Sequence, residues 1–159
     1  MSNSVPLRLA AGFAAGFVSV LIYSSGVLAL YQAAGAPVPF AAWSMAAVPP
    51  FGVPQTLSAA FFGGLWGVLY AAVEPWLTAR LGWLAGGALY GVVPLLALWF
   101  FVFPLKGIPV GAGFTAYGLQ QGIVLHVAFG LGLALFFRIA RRFTGRSGGQ
   151  GPLAAGMSR

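Results

Sequence analysis

The chain has 159 residues, 60% of them hydrophobic and 6% charged, with a formal net charge of +7; a soluble domain carries roughly a quarter charged residues. That composition excludes a water-soluble globule, and the length leaves no room for a second soluble domain beside several apolar segments. With no cysteine in the chain, disulfides, thiolate ligands and cysteine nucleophiles are excluded as well.

Four apolar stretches, about 7–32, 55–76, 81–104 and 115–140, each reach the roughly 20 residues that cross a hydrocarbon core. The expected fold class is therefore all-α, a four-helix transmembrane bundle forming one domain over 1–142. Arg8 and the small residues Ala34-Gly35-Ala36 give the first stretch the outline of a signal peptide. Its apolar run is far longer than a signal core and Pro37 follows the candidate site, so it reads as a retained anchor.

The segment from Ala33 to Pro54 holds five prolines and no charge, while Phe40, Trp43, Met45, Val48 and Phe51 keep it apolar. Its proline-free piece, 40–48, would span only about 13 Å as a helix, so a short interfacial helix is expected, with a re-entrant loop as the alternative.

In the second stretch Ala59, Gly63, Gly67 and Ala71 recur every fourth residue, a small-residue stripe that lets two backbones approach closely. Glu74, the only acid, lies at its end, where Arg80 or Arg138 is the expected partner. The third stretch carries Gly87 and Gly91, and Pro94, which cannot donate to the Tyr90 carbonyl and is expected to kink the helix. In the fourth, Gly118, Gly122, His126, Gly130 and Ala134 share one stripe. His126 then lies roughly 15 Å deep and faces the bundle, suited to a hydrogen bond with a facing hydroxyl or to a ligand or proton-transfer role. Being the only histidine, it could ligate a haem only together with a second protomer; no cofactor or metal site is expected. Tyr23, Ser24 and Ser25, with Tyr117, Gln120 and Gln121, and Gln55 and Thr56, form a candidate outer polar group. It reads as interhelical glue or the lining of a vestibule. Trp76 and Trp83 on one side, and Trp43 and Trp99 on the other, look like interfacial anchors. The tail, 143–159, is rich in Gly, Ser and Arg and reads as disordered.

Seven arginines, at 8, 80, 138, 141, 142, 146 and 159, fall on one side of this arrangement and Lys106 alone on the other. The positive-inside rule puts both termini and the 77–80 turn in the cytoplasm. The charge thus reads as topology, not as a nucleic-acid surface. The pairs Gly12/Gly16 and Gly87/Gly91, with Gly52-Val53-Pro54 and Gly107-Ile108-Pro109 closing the two outward loops, suggest a duplicated helical hairpin. One carboxylate excludes paired-acid mechanisms, no aspartate excludes a Ser-His-Asp triad, and no glycine pair is followed by the Lys and Ser or Thr of a phosphate loop.

Gly63-Gly64-Leu65-Trp66-Gly67-Val68-Leu69-Tyr70 and His126-Val127-Ala128-Phe129-Gly130-Leu131 resemble segments of a loose group of uncharacterised four-helix bacterial inner-membrane proteins. The resemblance implies the architecture and a plasma-membrane location and carries no activity. The function expected is that of a non-enzymatic integral membrane protein acting by helix association, as a homo-oligomer or an accessory subunit of a larger membrane complex. The competing expectation is a small transporter, channel or proton-coupled carrier using His126.

Overall fold

The computed structural model describes residues 5–146. Three helices are long and apolar enough to cross a membrane: α1 (Val5–Ala33), α2 (Gln55–Leu105) and α3 (Ala116–Arg146), whose apolar part is Ala116–Phe143. Straight, the 51 residues of α2 would run about 75 Å, more than twice the hydrocarbon thickness. It is instead folded in two at Gly82, whose φ of 74° and ψ of 167° leave the helical region. The Tyr70 and Tyr90 rings are 5.0 Å apart, and Tyr90 Oη donates to the Trp66 carbonyl at 2.7 Å.

The second and third apolar stretches of the sequence are thus the descending limb (55–81) and the returning limb (83–105) of α2. The reversal comes two residues later than the expected 77–80 turn. The helix continues past Pro75 to Gly82, the first glycine after Gly67, where a left-handed φ carries no Cβ penalty.

Glycine closes the bundle. A Cβ on Gly67 would fall 2.8 Å from the Gly12 carbonyl carbon and nearer its oxygen, and Gly16 meets Gly63 in the same way. On the returning limb, Gly87 meets Gly130, and Gly91 meets the backbone carbonyl of His126. Each hairpin therefore crosses through two glycines four residues apart, with His126 standing where the first hairpin has Gly63. These stripes pack helix against helix within the chain. Gly122 takes the Trp99 ring and Leu95. Gly118 packs against no helix: it opens α3, where its N–H donates to Thr115 Oγ1 at 3.1 Å, an N-cap bond.

Tyr70 forms the centre of the core, edge-on to Tyr90 and, at 5.6 Å, to Phe137, with Leu133 and Ala134 buried beside it. Ser19, wholly buried, donates to the Phe129 carbonyl at 2.7 Å and ties α1 to α3. Phe61, Phe62, Leu69, Val93 and Phe101 are among the large apolar residues exposed around the outside.

The helices carry wide turns at Val20–Ser24 and Leu98–Val102. The backbone keeps helical dihedrals through Pro94, so the change of helical register on the returning limb falls beyond the proline, at Leu98–Val102.

The expected helix at 40–48 is absent. Nine residues between Pro39 and Pro49-Pro50 are too few to sustain an isolated helix, and longer-range partners fix another shape. β1 (Ala47–Val48) pairs antiparallel with β2 (Val53–Pro54). The Ala42 N–H donates to Gln32 Oε1 at 2.7 Å, Trp43 Nε1 to the Leu21 carbonyl at 2.8 Å, and Thr56 Oγ1 to the Ser44 carbonyl at 2.9 Å. Leu21 lies twelve residues before the end of α1, roughly 18 Å, so this segment folds back along α1. Trp99, expected as an interfacial anchor, is buried against Gly122 because the returning limb needs a ring to fill the space that glycine leaves. Residues 143–146 of the tail expected to be disordered belong to α3; the rest of that tail lies outside the described residues.

Candidate functional site

The polar chemistry of the chain gathers where the Gly82 reversal meets the two helix ends. Glu74, on the last turns of the descending limb, accepts from Arg8 Nη2 at 3.3 Å and Arg141 Nη1 at 3.1 Å through Oε2, and from Thr78 Oγ1 at 3.3 Å through Oε1. One carboxylate joins α1, α2 and α3. Neither expected partner takes part. Arg80 is six residues on, about 240° around the helix, and its guanidinium covers the Trp76 ring, its neighbour four residues back, at 4.4 Å. Arg138 lies 5.2 Å from the Trp83 ring centre instead. Both are cation–π contacts.

Beside this cluster is a cavity of about 310 Å³. Tyr70 and Trp83 supply aromatic lining, and Thr78, Glu74, Arg138, Arg141 and Arg142 polar lining. Three arginines thus share the cavity with one carboxylate, which is ion-paired to one of them, Arg141, and to Arg8. Arginine forks match planar or tetrahedral oxyanions, and Arg141 already meets one in the Glu74 carboxylate. In the sequence the arginines of the cavity read as a topology signal and as a cluster drawn to the anionic cytoplasmic leaflet, not as the lining of a cavity. The missed clue was their spacing: positions 138, 141 and 142 share one helical face, opposite a tryptophan at the reversal.

His126 is engaged elsewhere. Its Nδ1 lies 2.8 Å from the Gly122 carbonyl; a carbonyl only accepts, so Nδ1 carries the proton. The partner is its own helix one turn back, where the stripe position had suggested a facing hydroxyl. The outer polar group also divides. Tyr117 Oη and Gln121 Nε2 both donate to the Pro37 carbonyl, at 2.6 and 3.0 Å, and fasten the 34–54 segment to α3. Tyr23 sits edge-on to Phe136 at 6.0 Å, Ser25 Oγ donates to the Val20 carbonyl, and Gln120 is exposed. Gln120 and Tyr23 thus do not join Gln121. Among the described residues no group of three His, Asp or Glu side chains is disposed to hold a metal ion.

No family model, no curated protein and no solved structure matches the chain.

Proposed function

We propose that the chain is a plasma-membrane protein of the bacterial inner-membrane type that crosses the bilayer four times, each limb of α2 making one passage. Both ends of the chain and the Gly82 reversal are cytoplasmic, on the side that seven arginines favour over one lysine. Its role is association without catalysis, as an accessory subunit of a larger membrane complex. With the glycine stripes closed inside the monomer, partners meet the outward apolar flank of the descending limb, where Phe61, Phe62, Leu65 and Leu69 are exposed, and the basic inner end.

The observation that carries this reading is the use made of Glu74. The one carboxylate in the chain is spent on holding three helices together, leaving no acid or base of matched geometry for chemistry. The carrier alternative rests on His126, whose Nδ1 is bonded to Gly122, and no observation favours it.

The test uses the natural lack of cysteine. Single cysteines at Ala79 and Ile108, both exposed, probed with an impermeant maleimide in intact cells and inverted vesicles, should label from opposite sides. Crosslinking from a cysteine at Phe62 in native membranes should capture a defined partner. Labelling of both positions from one side would overturn the topology, and a chain found only as an isolated monomer would overturn the association role.

A further inference from the structure

We propose that the cavity at the Gly82 end is a binding site for a phosphate-bearing anion of headgroup size, presented by an anionic phospholipid of the cytoplasmic leaflet. The inference rests on the topology proposed above, which turns the cavity toward that leaflet. At about 310 Å³ it stands at the small end of ligand cavities, the scale of a headgroup and not of a whole lipid. Its lining is unequal in charge: it carries Arg138, Arg141 and Arg142 against one acid, and Glu74, paired with Arg8 and Arg141, leaves Arg138 and Arg142 to meet an incoming anion. Two non-bridging phosphate oxygens are matched by a guanidinium fork better than by the point charge of an ammonium.

The aromatic walls give the arginines a fixed place. Arg138 rests over Trp83, which orients its donors before any ligand arrives, and Thr78 adds a hydroxyl to the same lining. Leu84 and Ile139, next in sequence to Trp83 and Arg138, are exposed apolar residues. A lipid whose phosphate entered the cavity would lay its glycerol and acyl chains along such residues, whereas free phosphate would gain nothing from them. Juxtamembrane arginines already attract anionic lipid at about 1 kcal/mol each; the cavity converts that diffuse attraction into a single site.

The experiment is native mass spectrometry of the full chain released from nanodiscs. One set contains phosphatidylglycerol in phosphatidylcholine, the other phosphatidylcholine alone. The wild type should retain one phosphatidylglycerol in preference to phosphatidylcholine. Arg138→Gln and Arg142→Gln, neither of which touches Glu74, should each lower that retention about fivefold, while Lys106→Gln, at the opposite end, leaves it unchanged. Circular dichroism and a monodisperse profile establish that each variant is folded.

Inorganic phosphate and glycerol phosphate are the competing probes. Failure of either to displace the lipid supports the lipid as source. Displacement at equal concentration overturns the lipid as source and assigns the site to a soluble phosphate. Equal retention of both lipids with no binding of either probe, or an equal loss in Lys106→Gln, overturns the site. Because retention is read without reference to sidedness, the maleimide labelling can fail while the site stands, and the reverse.

Discussion

Gly67→Ala should weaken the fold and Gly26→Ala should not, although the chemical change is the same. At Gly67 the new methyl would lie 2.8 Å from the Gly12 carbonyl carbon and 3.1 Å from the Gly16 nitrogen. Both are backbone atoms, so no side chain can swing aside. Restoring ordinary contact moves α1 and the descending limb apart by on the order of 1 Å, and a gap of that size forfeits about a quarter to a half of each dispersion contact along the crossing. Overpacking of this kind costs about 1–3 kcal/mol, partly offset by the roughly 1 kcal/mol that alanine gains over glycine in a helix. Gly26 has nothing within 4 Å of its absent Cβ, so only the offset operates there, and the variant should be unchanged or slightly more stable. Reversible unfolding in mixed micelles, followed by tryptophan fluorescence, measures both. A Gly67→Ala protein as stable as wild type, or a Gly26→Ala protein that loses as much, would refute the glycine crossings as the closure of the bundle.

Other residues give separate tests. Glu74→Gln keeps an amide oxygen as acceptor but removes the negative charge that Arg8 and Arg141 share; for a carboxylate 13% exposed this should cost about 1–3 kcal/mol in the same unfolding assay, and an unchanged midpoint would remove Glu74 as the joint of the three helices. Trp43→Phe deletes the donor to Leu21, so amide exchange over 41–54 should accelerate while global stability moves by less than about 1 kcal/mol; unaltered exchange there would contradict the anchoring. Gly82→Ala imposes a Cβ at φ 74° and should lose roughly 1–2 kcal/mol, with no loss expected if the limbs join without a left-handed residue.

The sequence was most informative where the physics is local. Four-residue repeats of small side chains marked the crossings at Gly63/Gly67 and Gly87/Gly91, and long apolar runs marked α1, both limbs of α2 and α3. Which stripe meets which is a long-range matter: the repeats show that each helix has a close-packing face, but not that Gly12 and Gly16 meet Gly67 and Gly63. The 40–48 segment failed for the same reason. Its shape is set by Gln32, Leu21 and Thr56, which lie ten or more residues away and leave no periodic trace. Glu74 could be recognised as paired, but Arg8, 66 residues distant, could not be told from Arg80 by proximity in the chain. The cavity was hidden because its arginines satisfy the positive-inside rule without needing a further reason.

The reversal at Gly82 also governs how the two hairpins can move. One residue of non-helical backbone allows the limbs of α2 to rotate about that end but not to slide past each other or part there by more than a helix width. It is a fixed pivot, and displacement grows with distance from it. The far ends of the limbs, at Gln55 and Leu105, therefore travel most, and the bonds from Tyr117 and Gln121 to Pro37 act there as a latch. Any breathing of this molecule opens at the lysine-bearing end, far from the Gly82 pivot.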